Sequence, residues 1–228
     1  MSESRVPSPD SRLRIAVLAS GRGSNLQALI DAIAAGRLGA EIAGVFSDRG
    51  DAMALRRAQA AGISAIAVDP REHATRLAFD AELFARIDAL APDLIVCAGY
   101  MRLISEPAVQ AHRGCLVNIH PSLLPAFKGL RTHIQALAAG VDAHGASVHF
   151  VTPDLDGGPV IAQARVPIHP GDDAESLGRR VLEREHPLLV ETVGLIAAGR
   201  IALRDDLVML DGMPQSTPLQ LAANNRFA

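Results

Sequence analysis

Strand and helix alternate five times between Arg14 and His120, and that order narrows what the chain can fold into more than any other feature. Arg14 to Ala19, Glu41 to Phe46, Ile63 to Val68, Leu94 to Ala98 and the run through Leu116 and Val117 are apolar and of strand length. Between them, Leu26, Leu29, Ile30 and Ile33 recur at helical spacing before Gly36, and an Ala/Arg-rich helix from Ala52 to Ala61 closes at Gly62. Thr75 to Leu90 carries Leu77, Phe79, Leu83, Phe84 and Ile87, a helix with a broad apolar face, and Glu106 to Ala111 is a shorter one. Strands that are apolar along their length are buried on both faces, so the alternation predicts a mostly parallel, doubly wound α/β sheet.

Past Pro121 the pattern loosens. His133 to Ala139 reads as a short helix, and Ala146 to Val151 and Val160 to Val166 read as strands. Gln163 and Arg165 interrupt the second of these, which predicts a half-exposed antiparallel portion near the sheet edge. Ser176 to Ala198 is a long helix with a kink expected at Pro187, and Ile201 to Leu203 with Leu207 to Leu210 reads as a closing hairpin. No internal repeat or linker divides the 228 residues, a length that suits one large α/β domain. The expected organisation is a disordered tail over residues 1–12, a single domain over 13–211 and a C-terminal tail over 212–228.

Three motifs carry the chemistry. In Cys115 to Leu130, C-L-V-N-I-H-P-S-L-L-P-A-F-K-G-L, a buried strand places Asn118 and His120 two residues apart and therefore on one face. Pro121 cannot continue a sheet ladder, so both lie at a carboxyl strand end, where open α/β sheets bind ligands. An amide that can hold an oxyanion beside an imidazole that can move a proton suits acyl transfer; the plain alternative is a satisfied polar pair. The second motif, S-G-R-G-S-N after the first strand, puts the backbone N–H groups of Gly23, Ser24 and Asn25 at a helix N-terminus, a seat for a phosphate monoester. Leu26 stands where a dinucleotide fingerprint has its third glycine, and no Walker lysine follows, so Asp48 at the end of the second strand reads as a surface acid. The third motif is Thr152 to Pro159, T-P-D-L-D-G-G-P, with Asp156 at the bend. An Asx-turn accounts for it; beside a catalytic histidine, the carboxylate would favour imidazolium and raise its pKa. His149 alternates with Val148 and Phe150 and is either core-satisfied or pocket-lining, with His144 the other nearby histidine.

Composition removes several classes. A net charge of −3 with no Lys/Arg run, and one Tyr with no Trp, argue against a nucleic-acid partner. No apolar run reaches the ~18 residues of a membrane span, and the start has no apolar signal core. Cys97 and Cys115 read as buried thiols in a reducing cytosol. The eight histidines lack metal-ligand spacing, so no metal is expected.

Together, S-G-R-G-S-N-L-Q-A-L-I, A-G-Y-M-R-L-I, L-V-N-I-H-P-S-L-L-P-A-F-K-G-L and H-G-A-S-V-H-F-V-T-P-D-L-D-G-G-P-V-I resemble the folate-dependent phosphoribosylglycinamide formyltransferases of purine biosynthesis, over about Arg14 to Asp211. The resemblance implies a Rossmann-like fold and transfer of a formyl group from 10-formyltetrahydrofolate, as co-substrate, to the amine of the glycinamide ribotide. It implies Asn118 as oxyanion donor, His120 as proton donor and Asp156 as the group holding His120 protonated. It implies Gly23, Ser24 and Asn25 at the phosphate, Glu185 at the ribose hydroxyls, and Arg76, Met101, Arg102, Leu103, Ile104 and Asn118 at the folate. For Arg76 a solvated helix arginine is the rival account. Leu182 departs from the family, where a polar or basic side chain often stands near the phosphate, so the grip would rest more on backbone amides. A cytoplasmic monomer or homodimer acting on small molecules is expected. A methionyl-tRNA formyltransferase would need a further basic domain, and a formyltetrahydrofolate hydrolase would usually carry an extra domain before the first strand. Outside this chemistry stands a non-catalytic binder of a phosphorylated metabolite; an NAD-dependent oxidoreductase is disfavoured by Leu26.

Overall fold

The computed structural model describes residues 12–227; the expected N-terminal tail, apart from Arg12, lies outside that range. The first half runs β1 (Leu13–Leu18), α1 (Ser24–Ala34), β2 (Ala40–Ser47), α2 (Met53–Ala60), β3 (Ala65–Ala67), α3 (Arg76–Asp88), β4 (Leu94–Cys97), α4 (Glu106–Ala111) and β5 (Leu116–His120), with a 3₁₀ turn at Pro70–Glu72. The second half runs α5 (Thr132–Ala138), β6 (Ala143–Phe150), β7 (Val160–Pro167), α6 (Ala174–Ala197), β8 (Ile201–Arg204), β9 (Leu207–Leu210), β10 (Met213–Pro214) and β11 (Leu219–Gln220). One eight-stranded sheet has the order β11-β7-β6-β5-β4-β1-β2-β3, and β8 to β10 form a small second sheet.

The sheet is covered on both faces because its central strands alternate between two apolar layers. Ile15 and Val17 of β1 join Leu26, Leu29, Val181, Leu188 and Leu189 on the α1/α6 side. Ala16 and Leu18 join Phe79, Leu83, Phe84 and Ile87 on the α3 side. Pairings from β3 through β2, β1 and β4 to β5 are parallel. Direction reverses at β6, antiparallel to both β5 and β7, so the doubly wound sheet with an antiparallel portion is the fold observed. Parallel strands expose their carboxyl ends along one edge, which brings the loops after β1, β4 and β5 together: Met101 N–H donates to Ser20 Oγ over 2.9 Å.

Two expectations change. The segment after Gly212, read as a tail, is docked: β11 pairs parallel with β7, and Arg184 of α6 donates to the carbonyls of Leu221 and Ala222. Leu219 and Leu221 offer too few apolar positions for a period-2 signal, whereas an open strand edge supplies unpaired backbone groups for any chain that can reach it. That extra strand makes β7 interior, so Gln163 is buried rather than half-exposed, donating to Leu124 O and Ser147 Oγ. Within α6, Pro187 sits mid-helix without ending it, and a capping box of Asp173 and Ser176 secures the start.

Gly158 closes the turn between β6 and β7 at a point where a Cβ would lie 1.9 Å from Phe150 O. A backbone oxygen cannot yield as a flexible side chain does. Gly158→Ala is expected to cost about 1–3 kcal/mol, as overpacking does, read by urea unfolding.

Candidate active site

Asn118 and His120 project from the same face of β5, while Val117 and Ile119 pack into the α1/α6 core. His120 is 5% exposed and Asn118 is half-buried. The chain then runs through Pro121 to Arg131 before α5. Ser147 ties this loop down: its Oγ donates to Ser122 O over 2.7 Å and accepts from Leu124 N over 3.0 Å. Two backbone groups of the loop reach the predicted acid–base pair. Phe127 O lies 3.0 Å from His120 Nε2, and Gly129 N–H donates to Asp156 Oδ2 over 2.8 Å. The Asp-Gly-Gly bend brings Asp156 Oδ2 to 3.5 Å from His120 Nδ1 and its Oδ1 to 3.6 Å from His149 Nε2. The β5–β6 register sets Asn118 directly opposite His149, and Asn118 Nδ2 is 3.1 Å from His149 Nε2.

Partners assign the protons. A carbonyl only accepts, so neutral His120 carries its hydrogen on Nε2 toward Phe127 O, and Nδ1 turns a lone pair toward Asp156. By the same reasoning His149 donates from Nδ1 to Phe150 O and accepts at Nε2 from Asn118, which keeps one amide hydrogen for another acceptor. Burial holds the His120 pKa below the ordinary histidine value, outweighing the Phe127 carbonyl and the Asp156 carboxylate, which pull it up. Burial thus works against the expectation that Asp156 keeps His120 protonated, penalising the cation more than one carboxylate at 3.5 Å favours it. For Asp156, burial pushes upward, but His149, the Gly129 N–H and the His120 imidazole together leave its carboxyl below the usual range. The site therefore disfavours the imidazolium by burial, while the neighbours of Asp156 favour its carboxylate.

The glycine loop lies at the same edge of the sheet, one strand beyond β4. Gly23 adopts φ +70°, and a Cβ there would come within 2.8 Å of Ala54, so both its conformation and the approach of α2 demand glycine. It takes the N-cap position of α1 with no side-chain cap, so Ser24 and Asn25 are not the caps that a bare turn would need. Ser24 lines a cleft of about 540 Å³ with Gln27, Arg57 and His186. Asn25 is buried and donates to Glu185 Oε2 over 2.8 Å, while its Oδ1 has no partner. Burial raises the pKa of Glu185, with Asn25 pulling the other way.

The remaining predicted positions divide. Met101 and Leu103 are exposed apolar side chains in the loop after β4, and Ile104 packs on the α3-side core. The Arg102 guanidinium instead lies 5.0 Å above the Phe79 ring, turned toward another cleft beside Asp48. Arg76 is exposed on the first turn of α3. His149 is the site residue that spacing alone left undecided: it is both satisfied and site-lining, and the signal that would have placed it is its register opposite Asn118. Phe127 and Gly129 act through backbone groups and left no side-chain signal. Among the described residues, no group of three or more His, Cys, Asp or Glu side chains is arranged to hold a metal ion.

Comparison with known proteins follows the same lines. Residues 13–193 match the Formyl transferase family. The chain is 46% identical to the phosphoribosylglycinamide formyltransferase of Escherichia coli (strain K12), over 88% of this chain and 94% of that one. The phosphoribosylglycinamide formyltransferase structure from Coxiella burnetii superposes with a TM-score of 0.87 at 47% identity, covering 90% of this chain and 97% of that one. A formyltetrahydrofolate deformylase from Pseudomonas syringae is more distant, at a TM-score of 0.80 and 26% identity over 88% of this chain and 66% of that one.

Titrating the histidines by NMR should place His120 below the ordinary value of 6.5. Asp156→Asn removes an influence that raises it, so the imidazole should then lose its proton at a lower pH still.

Proposed function

The chain belongs to the phosphoribosylglycinamide formyltransferases, and we propose on that basis how its residues divide the work. The enzyme transfers the formyl group of 10-formyltetrahydrofolate to the amino group of 5'-phosphoribosylglycinamide, giving the formylglycinamide ribotide and tetrahydrofolate. The deformylase reading is the more distant likeness. The observation that carries the proposed chemistry is the convergence of Asn118, His120 and Asp156 at the carboxyl end of β5.

The acceptor amine attacks the formyl carbon, forming a C–N bond and turning the carbonyl oxygen into an oxyanion. Asn118 donates its remaining amide hydrogen to that oxygen, with His149 holding the amide in place through the other. Attack makes the amine acidic and requires a proton at the departing folate nitrogen. His120, neutral at rest, carries that proton, and Asp156 stabilises the imidazolium for the short time it exists. The C–N bond to folate then breaks and the oxyanion collapses to the new amide. Raising the His120 pKa only when charge develops is what a carboxylate 3.5 Å away in a buried site can do.

Binding follows the same edge. The uncapped first turn of α1 supplies backbone N–H groups at Gly23, Ser24 and Asn25 for the ribotide phosphate. Glu185 faces the ribose hydroxyls, positioned through Asn25, and the half-buried Leu182 adds no charge to the phosphate grip. The loop of Met101, Arg102, Leu103 and Ile104 reads the folate heterocycle through its backbone groups, and Arg76, exposed on the first turn of α3, binds the folate. Among the described residues no helix is long and apolar enough to cross a membrane. The same proposal places the enzyme in the cytoplasm, as a monomer or homodimer without nucleic-acid or membrane partners.

A direct assay with glycinamide ribotide and 10-formyltetrahydrofolate should show release of the deformylated cofactor, and free glycine should fail as acceptor. Asn118→Ala should lower turnover by ~10²–10³ while folate binding, followed by fluorescence quenching, persists. Water replacing the ribotide as the efficient acceptor would overturn the transferase reading in favour of hydrolysis.

A further inference from the structure

A phosphate seat made of backbone N–H groups works only if something aims them. Gly23 takes φ +70° and carries no side chain, so the peptide between Arg22 and Gly23 swings at low cost unless it is held. Two groups of α2 hold it. Ala54 N–H donates to Gly21 O over 3.1 Å, and Arg57 Nε donates to Arg22 O over 2.8 Å. The rest of the half-buried Arg57 side chain serves the same contact: Nη1 donates to Gln27 Oε1 over 3.0 Å, and Nη2 lies 3.9 Å from Met53 Sδ. Gln27 Nε2 in turn donates to Asp31 Oδ1 over 2.9 Å, which keeps the Gln27 oxygen facing Arg57. The partners of the guanidinium are therefore two amide oxygens and a sulfur, not the carboxylate of an ordinary surface ion pair.

We propose that Arg57 is a positioning residue for the ribotide phosphate: by holding Arg22 O, it aims the Gly23 N–H. The peptide is planar and trans, so its C=O and N–H point opposite ways. With the carbonyl fixed toward α2, the Gly23 N–H is turned away from α2 and has no acceptor among the described residues. Rotation of that plane would present a carbonyl to the anion in place of a donor, exchanging attraction for repulsion. Each fixed donor counts the more because Leu182 brings neither charge nor hydrogen bond to the phosphate. Arginine suits the task, since one planar fork spans a loop carbonyl and a helix side-chain amide together and so fixes direction as well as distance. The inference rests on the reading of the α1 turn as the phosphate seat.

Calorimetric titration of the full chain with glycinamide ribotide tests it, beside steady-state kinetics and amide NMR. Arg57→Ala should weaken ribotide binding and lower kcat/KM for the ribotide roughly tenfold, the scale of one hydrogen bond to a charged group. KM for 10-formyltetrahydrofolate should not change. Arg57→Met, which keeps the aliphatic stem and so protects the fold, should show the same loss. The ratio between parent and variant should persist in about 1 M KCl, where the Debye length is ~3 Å and a distant charge no longer acts. On saturation with ribotide, the Gly23 amide proton should move downfield in the parent and much less in either variant, while the Ser24 and Asn25 amides still move. Unchanged ribotide affinity, an equal rise in KM for both substrates, a loss that vanishes in high salt, or a Gly23 amide that moves as far in the variants would each overturn the role of Arg57. A parent protein that binds the ribotide with none of these three amides moving would overturn the phosphate seat itself, and the proposal with it.

Discussion

The register of β5 against β6 is the constraint on which the catalytic geometry rests. It sets Asn118 opposite His149 and His120 opposite Ser147. Through His149 it fixes the amide, and through Ser147 it anchors the loop that touches both His120 and Asp156. A slip of one residue would turn His149 and Ser147 to the other face and undo all these contacts together. The antiparallel reversal at β6 is thus more than an edge detail: it lays Ser147 and His149 beside His120 and Asn118, and the Asp-Gly-Gly bend that follows brings Asp156 to His120.

Burial then decides the charge state. In water a carboxylate beside a histidine would favour the cation; inside the cavity the cost of desolvating that cation is larger, and His120 rests neutral. Asp156 escapes the same penalty because the Gly129 N–H donates to it, and its anion gains further whenever a neighbouring imidazole takes up a proton. The site is therefore asymmetric, a stable anion beside a reluctant cation. That asymmetry lets a proton arrive and leave within one catalytic cycle. A permanently protonated imidazole could donate but could not first accept.

Much of this was legible from residue order. The strands and helices stand close to where apolar runs and helical periods put them, with Gly36 and Gly62 at positive φ just past α1 and α2. The pairing of Asn118 and His120 on one face followed from the two-residue period of a strand. What failed to show in the sequence has a common cause. Backbone groups such as Phe127 O and Gly129 N carry no residue-type signature. The docking of β11 depends on an edge contributed by a strand more than fifty positions earlier.

By itself the sequence determined the local elements, the parallel core and the residue types available at each strand end, because periodicity and steric limits act between near neighbours. Tertiary structure alone decided which of those residues meet, which atoms are left without partners and whether the histidine is charged. These depend on desolvation and on distances between segments far apart in the chain, and no local pattern of side chains encodes either one.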